Sequence, residues 1–249
     1  RTDAPAPLVE MAKRRGVQVL LAAQVVATHG ARSLHHVTVR SDSGRLIRLR
    51  ADVLAVSGGW NPNIGLSSHL GARPNWSERL CAFVAGAGLR RLTVAGAANG
   101  SFRLSDALRE GATAGAEAAE ATGHRAAPIG ISKVADELSG VTAFWHVAAS
   151  KDKAFVDFQN DVTYNDIAVA VREGFSSVEL LKRYTTLGMG TDQGRTSNVN
   201  GLAILAGLTG RKISETGTTT ARPPLAPVSI GAFAGHHRGE MVKPTRRTA

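Results

Sequence analysis

Gly188-Met-Gly-Thr-Asp-Gln-Gly-Arg-Thr-Ser197 is the stretch that decides how the second half of the chain folds. Its closely spaced glycines predict a tight loop, because glycine adopts positive φ at little steric cost. Ser197 or Asn198 suits the N-cap of a following helix that runs to about Leu208 and is closed by Gly210. The backbone N–H groups of such a loop can bind an anionic group, and Arg195 adds positive charge.

Two more helices are predicted on the N-terminal side of this loop. The first has Thr163 as its N-cap, runs to Arg172 and is followed by Gly174. The second ends at Thr185, shortly before the loop begins. Three short helices around a glycine-rich loop indicate a small helical domain.

The domain boundaries follow from changes in composition. A connecting segment is expected at 128–150, and a new unit begins at Lys151. We therefore predict the helical domain over 151–212 and an extended basic tail over 213–249 that leads toward a further domain.

The first 127 residues have an α/β pattern. In chain order the patterns predict a helix at Pro7–Arg15, strands at Val17–Leu21, Gln24–Thr28, Leu34–Arg40, Arg45–Arg50 and Asp52–Ser57, a strand from Leu92 into the turn 96–100, and a helix at Leu104–Ala121. The turn cluster 41–44 predicts a small antiparallel meander. The compact apolar runs at 17–21, 52–57 and 92–95 predict buried strands.

Composition excludes several classes of protein. The chain has 249 residues, one cysteine and a formal net charge of +10. A single cysteine, Cys81, can form neither an intramolecular disulfide nor a multi-thiolate metal site, and we expect it to be a small buried residue. No apolar run is long enough for a membrane span. The basic excess is diffuse and lacks interleaved aromatics, so we predict an acidic docking partner rather than nucleic acid.

No catalytic residue and no metal ligand is predicted. Adjacent histidines on a strand point to opposite faces, so neither His35-His36 nor His236-His237 makes a metal site by itself. Ser105-Asp106 has no neighbouring histidine in the sequence that would complete a triad.

The order of elements in residues 1–127 resembles the closing half of flavoprotein reductases that have two dinucleotide-binding domains. The resemblance implies that the buried strands form a parallel sheet beside the small antiparallel meander. In that family the glycines that follow a buried strand, here Gly58 and Gly59, let the backbone approach the cofactor. The family's Gly-Asp at the later turn is Gly96-Ala97 here, so ordinary FAD binding is not expected. The resemblance implies instead an NAD site, with Gly58, Gly96, Ala97, Phe102 and Leu104 as its residues.

The helical unit resembles the bacterioferritin-associated-ferredoxin-like domain of amine-oxidising flavoenzyme complexes. That domain holds an iron–sulfur cluster with four cysteines. Laid over this chain, the four positions fall on Asp157, Gln159, Asp192 and Ser197, none of which is a thiolate. The resemblance therefore implies a domain of this type without its cluster.

Five stretches, 155–163, 182–186, 188–198, 218–224 and 227–235, resemble one branch of these complexes, the alpha subunits of heterotetrameric sarcosine oxidases. The resemblance implies the middle portion of such a subunit. The whole enzyme would oxidise sarcosine with oxygen and tetrahydrofolate, yielding glycine, peroxide and a one-carbon folate. Beta, gamma and delta subunits would be the partners, in the cytoplasm, with no nucleic acid and no membrane.

The same resemblance implies which cofactors this chain holds. NAD would be bound here, FMN would be shared with the beta subunit, and FAD and tetrahydrofolate would lie elsewhere in the complex. The implied FMN residues are Thr185, Gly190, Thr191, Gln193, Gly194, Arg195, Thr219 and Arg222. The isolated chain is expected to be inactive. Two alternatives remain open: an alpha subunit of a related amino-acid or opine dehydrogenase, and a non-catalytic assembly subunit.

Overall fold

The computed structural model describes residues 6–87, 89, 91–127, 129–135 and 141–233. The elements in its first half are α1 (Ala6–Arg14), β1 (Gln24–His29), β2 (His36–Arg40), β3 (Leu46–Arg50), α2 (Gly65–His69), β4 (Asn75–Ser77), β5 (Ala82–Val84) and α3 (Leu104–Ala121). Those in its second half are β6 (Phe155–Asp157), β7 (Val162–Thr163), α4 (Tyr164–Arg172), α5 (Val178–Thr185), α6 (Asn198–Thr209), α7 (Ile213–Thr216) and α8 (Ile230–Phe233). A 3-10 turn, Gly96–Asn99, precedes α3.

The predicted meander is confirmed. Strands β1, β2 and β3 form an antiparallel sheet in that order, with Val37 opposite Leu49 and Val39 opposite Ile47. Val37 and Val39 are buried while the intervening Thr38 is not, which is the alternation expected of a sheet with one apolar face. The predicted helices near 7–15 and at 104–121 are also present, as α1 and α3.

The parallel sheet is not found among the described residues, and this prediction was wrong for them. Segments 17–21, 52–57 and 92–95 form no strand, and Val53 and Val56 are 81% and 84% exposed. A strand is stable only when a neighbour pairs its N–H and C=O groups and an apolar layer covers its side chains. Within the described ranges these segments have neither, so a strand-like sequence leaves its side chains in solvent.

The core lies in the helical domain and reaches into the first half. Leu181, Ile167, Leu202 and Leu205 are almost fully buried, and Phe83 of β5 packs into the same cluster. Helix α6 contributes six consecutive buried residues, from Gly201 to Ala206, so it is a central helix enclosed by the others.

The helix ends follow the sequence except in one case. Thr163 forms a capping box with Asp166 at the start of α4. Gly174 and Gly210, which follow α4 and α6, have φ of +93° and +69°. Ser197 precedes α6, but its side chain makes no capping bond and is 1% exposed. Its hydroxyl donates instead to the Asp157 carboxylate.

Two smaller expectations need correction. Ile213 of α7 packs against the core, so the helical unit extends past residue 212, and the described tail contains the short helices α7 and α8. Its basic end, including His236-His237, lies outside the described residues. Cys81 is partly exposed in the turn before β5, where its φ is +49°. No helix in the described part of the chain is long and apolar enough to cross a membrane.

Candidate functional site

A buried carboxylate anchors the glycine-rich loop. Asp157, at the end of β6, is 2% exposed. Its Oδ2 accepts hydrogen bonds from the Gly188 N–H at 2.8 Å and from the Ser197 hydroxyl at 3.4 Å. Its Oδ1 accepts from the N–H groups of Gln159 at 2.9 Å and Asn160 at 3.3 Å. A buried charge is tolerated when its lone pairs are satisfied in this way.

Gln159 makes a second connection to the loop. Its Oε1 accepts hydrogen bonds from the Thr191 N–H at 2.8 Å and from the Thr191 hydroxyl at 3.1 Å. Gly190 lies so close that a Cβ there would be 2.3 Å from the same Oε1. The loop therefore lies directly against the turn that follows β6.

Asp192 stabilises the loop through hydrogen bonds with other residues of the same loop. It accepts hydrogen bonds from the N–H of Gly194 at 2.9 Å and from the N–H and hydroxyl of Thr196 at 3.2 and 2.9 Å. Partial burial acts to raise the pKa of the Asp192 carboxyl, but these hydrogen bonds and the nearby Arg195 outweigh it, and the pKa lies below its ordinary value.

Asn198 explains why glycine occupies two loop positions. A Cβ on Gly188 or Gly194 would lie 2.3 or 2.1 Å from the Asn198 Oδ1, and both glycines have positive φ. The Asn198 amide donates to the Gln193 carbonyl and to the Thr219 hydroxyl, both at 3.2 Å. The loop is thus packed closely around the first residue of α6.

The loop is also joined to the segment that follows α7. Gln193 donates through Nε2 to the carbonyls of Arg222 at 2.7 Å and Pro224 at 2.8 Å, and its Oε1 accepts from the Arg222 N–H at 2.9 Å. The Arg195 guanidinium donates to the Leu225 carbonyl. These contacts hold residues 218–225 beside the loop.

A cavity of about 250 Å³ lies between the loop, residues 218–225 and residues 61–68. Its polar lining consists of Asn61, Asn63, Ser68, Gln193, Arg195, Asn198, Thr218 and Thr219. Its apolar lining includes Ile64, Phe83, Val199 and Leu225. Amide and hydroxyl groups beside an apolar wall, with one guanidinium, suit a planar heteroaromatic ligand that carries an anion.

Half of the predicted FMN residues line this cavity. Gln193, Gly194, Arg195 and Thr219 do so. Gly190 and Thr191 lie instead against Gln159, and Arg222 meets the loop through its backbone.

Thr185 lies elsewhere, because it lines a separate open depression with Asp161, Asp166 and Tyr184. Its hydroxyl donates to the Leu181 carbonyl of α5 at 2.8 Å. In this structure it is therefore part of the helix end and not of the cavity between the loop and residues 61–68.

Sequence reasoning did not include Asn61 and Asn63 among the candidates. They follow the Gly58-Gly59 pair, on either side of Pro62. Among the described residues their side chains make no hydrogen bond, which leaves them available to a ligand. The asparagines themselves were the signal, since polar side chains at a turn between two elements often point into a site.

The predicted NAD residues fall into two places. Gly96 and Ala97 form the 3-10 turn that packs on α3, with Leu104 as the first residue of that helix and Phe102 partly buried just before it. Gly58 lies in the exposed segment 51–60.

A carboxylate holds this turn, although the family's aspartate is absent from it. Glu110 of α3 accepts hydrogen bonds from the Gly96 N–H at 2.8 Å, from the Asn99 amide at 3.4 Å and from the Ser101 hydroxyl. Burial acts to raise the pKa of the Glu110 carboxyl, but the bonds from Ser101, Gly96 and Asn99 outweigh it and the pKa is lowered.

An iron–sulfur cluster does not fit the donor set at the four positions expected from the resemblance. Such clusters are held by thiolates, whereas Asp157, Gln159, Asp192 and Ser197 offer only oxygen and amide groups. The Asp157 carboxylate is moreover fully engaged with the backbone and with Ser197.

Comparison with known proteins finds a family model and a solved structure that this chain resembles. Residues 151–236 match the family model of the sarcosine oxidase A3 domain. Most of the chain also superposes on a solved structure, L-proline dehydrogenase from P. horikoshii, with a TM-score of 0.67 and 20% identity over 91% of this chain and 47% of that one. At that identity the likeness establishes a shared fold, that of part of a dehydrogenase chain.

Over most of its length the chain is similar to sarcosine oxidase alpha subunits, as its sequence motifs predicted. It is 42% identical over 91% of its length to the sarcosine oxidase alpha subunit of Rhizobium meliloti (strain 1021) and 38% identical over 94% to that of Corynebacterium sp. (strain P-1). It covers 23% and 26% of those two proteins, about a quarter of each. One of the subunits of the R. meliloti opine oxidase is 27% identical over 75% of the chain, which covers 44% of that protein.

Proposed function

We propose that the chain is part of the alpha subunit of a heterotetrameric sarcosine oxidase and forms one wall of its FMN site. The observation that carries the proposal is the cavity between the loop 188–197 and residues 61–68. Its volume of about 250 Å³ is below the roughly 300–1,000 Å³ of complete small-molecule sites. A wall that a second subunit completes accounts for this size.

The donors in the cavity support an anionic flavin. Arg195 donates to the Leu225 carbonyl and keeps further N–H groups for a phosphate, since a guanidinium carries five. Asn61, Asn63 and Thr218 offer polar groups that the described residues do not use. Phe83 and Val199 supply apolar surface for a planar ring.

FMN, when bound, would pass electrons from the amine-oxidising centre to oxygen. This chain's residues would bind and orient it: Arg195 neutralises negative charge, and the asparagine side chains hold its polar edge. The apolar wall at Phe83 excludes water from one face of the ring, which strengthens the polar contacts around it.

For NAD we propose the 3-10 turn Gly96–Asn99 and the start of α3. The helix N-terminus offers free N–H groups near Leu104, which favour a phosphate. The Gly96 N–H is already bonded to Glu110, so the backbone beyond Gly96 would make the contact.

The proposed partners are the beta, gamma and delta subunits, with FAD and tetrahydrofolate bound elsewhere in the complex, in the cytoplasm. The net charge of +10 supports docking against acidic surfaces. Sarcosine would be the amine that the complex oxidises, at residues outside this chain.

The experiment compares two arginines in the full alpha subunit, co-expressed with its partner subunits. Arg195→Ala removes a cavity arginine, whereas Arg211→Ala removes one that likewise donates to a backbone carbonyl, that of Ser176 at 3.3 Å, but does not line the cavity. We expect Arg195→Ala to lower bound FMN and turnover at least about tenfold, and Arg211→Ala to leave both unchanged. FMN content and turnover that are unaffected by Arg195→Ala would contradict the proposal.

A second candidate is an alpha subunit of an opine-oxidising or amino-acid-oxidising complex, which the match to the opine oxidase of R. meliloti supports. The experiment denatures the purified complex and identifies the released cofactors by mass. It distinguishes sarcosine oxidase, the second candidate and a non-catalytic assembly subunit. NAD and FMN support sarcosine oxidase. Iron with labile sulfide supports the second candidate, with the cluster held by another chain of the complex, because the four positions in this chain carry no thiolate. If no cofactor is released, the chain belongs to a non-catalytic assembly subunit.

A further inference from the structure

Hydrogen bonds converge where the turn after β6, the glycine loop and the start of α6 meet. Asp157 and Gln159 come from the turn, Gly188 and Thr191 from the loop, and Ser197 from the position before α6. The bonds between them join residues 31, 32 and 40 positions apart. Together these five residues are called the junction below.

The junction occupies the place that the resemblance assigns to a metal cluster. Of the four positions expected to carry thiolates, Asp157, Gln159 and Ser197 bond across the junction, and Asp192 bonds within the loop. Each of these four side chains is engaged in hydrogen bonds, and none has the chemistry of an iron–sulfur ligand.

We propose that the junction fixes the loop over the cavity by hydrogen bonding alone, with Asp157 as the positioning residue. Its carboxylate accepts from four donors and is the only group in the junction that contacts both ends of the loop, Gly188 and Ser197. Ser197 is diverted from capping α6 in order to make this contact.

Because Asp157 is buried, the position of the loop depends strongly on its carboxylate. Charge-assisted hydrogen bonds to backbone N–H groups are stronger than neutral ones, and a buried N–H left without an acceptor is costly. Replacing Asp157 by Asn removes the charge and turns one acceptor into a donor that faces an N–H group. The loop must then move, because either Gly188 or Gln159 loses its acceptor.

The consequence reaches the cavity through the loop itself. Gln193, Gly194 and Arg195 lie between the two anchored ends and line the cavity. The identity of the ligand in the cavity rests on the proposed FMN site. The anchoring of the loop does not depend on that proposal.

Amide hydrogen exchange in the assembled complex tests the anchoring without any ligand. Asp157→Asn is compared with Asp152→Asn, which makes the same change at an exposed position outside the junction. We expect exchange in peptides covering 187–194 to be at least about tenfold faster in Asp157→Asn, with α4 unchanged, and no effect of Asp152→Asn. Unchanged exchange in a folded Asp157→Asn protein overturns the proposal.

A second pair of variants serves if Asp157→Asn does not fold. Gln159→Ala removes the acceptor for Thr191, while Gln159→Glu keeps an oxygen at the same place. We expect several-fold faster exchange at 190–192 for the alanine variant and near-native exchange for the glutamate variant. Equal exchange in the two variants also overturns the proposal.

FMN affinity separates this inference from the proposed function. If both hold, Asp157→Asn raises the Kd for FMN about tenfold or more, and Arg195→Ala does so without faster loop exchange. If the exchange result appears but neither variant changes FMN binding, the junction stands and the FMN proposal fails.

Discussion

The amide of Gly188 donates a 2.8 Å hydrogen bond to the Oδ2 of Asp157, a residue 31 positions earlier in the chain. This one contact joins the start of the glycine loop to the end of β6, in the interior of the helical domain. Since the same loop lines the cavity, the position of a buried carboxylate and the shape of the candidate cofactor site are coupled.

Substitution by alanine should change the free energy of unfolding in opposite directions at a loop glycine and at a helical glycine. Gly194→Ala places a Cβ 2.1 Å from the Asn198 Oδ1 at a φ of +75°, so we expect a loss of at least about 2 kcal/mol in the free energy of unfolding. Gly207→Ala in α6 meets nothing within 4 Å and should stabilise by up to about 1 kcal/mol. Urea denaturation measures both, and equal effects would refute the geometry.

Two leucines of helix α6 test whether that helix is buried in the core. Leu205 of α6 is fully buried, whereas Leu208 is 36% exposed. We expect Leu205→Ala to cost about 2–5 kcal/mol of unfolding free energy, because it leaves a cavity in the helical domain, and Leu208→Ala to cost clearly less. Chemical denaturation of the two variants gives the comparison, and similar costs would argue against a buried α6.

The capping box at α4 should contribute measurable stability. Thr163→Ala removes the side chain that accepts from the Asp166 N–H, and we expect it to cost about 1 kcal/mol. Thr93→Ala, at an exposed position outside any helix or strand, is the control and should change stability little. If the two substitutions proved equivalent in thermal or urea unfolding, Thr163 would have no capping role.

Acid should weaken the turn held by Glu110. The pKa of this carboxyl is lowered in the folded protein from its ordinary value of 4.5, so the folded state favours the ionised form. Its stabilisation is therefore complete above about pH 4.5 and is lost as the pH falls through the lower, folded pKa.

Glu110→Gln removes that titration. We expect the difference in unfolding free energy between wild type and Glu110→Gln to be constant above about pH 5 and to shrink below pH 4.5. Glu117→Gln, on the same helix, serves as the control. A difference that does not vary with pH would show that Glu110 does not stabilise the turn in its ionised form.

Local structure in this chain was largely predictable. The caps at Thr163 and Gly210, the meander and the helix at 104–121 all depend on residues within a few positions of each other, or on alternation along a strand. Such patterns are visible in a sequence because the bonds that they describe are short-range.

The predictions that were wrong concern features that depend on residues distant in the chain. An apolar run such as 52–57 becomes a strand only beside another strand, and Val56 is exposed because none of the described residues pairs with it. Ser197 was a reasonable cap by position, yet the buried Asp157 offered its hydroxyl a different partner.

By itself, then, the sequence determined the resemblance to sarcosine oxidase alpha subunits, the helix ends and the glycine loop, since each is visible in neighbouring residues. Only the tertiary structure decided that Asp157 meets Gly188 and Ser197, that Asn61 and Asn63 face the loop across a cavity, and that Glu110 supplies a carboxylate to the turn at Gly96. These relationships depend on which surfaces pack together. Residues that lie far apart in the chain acquire partners only when the burial of apolar side chains brings their segments into contact.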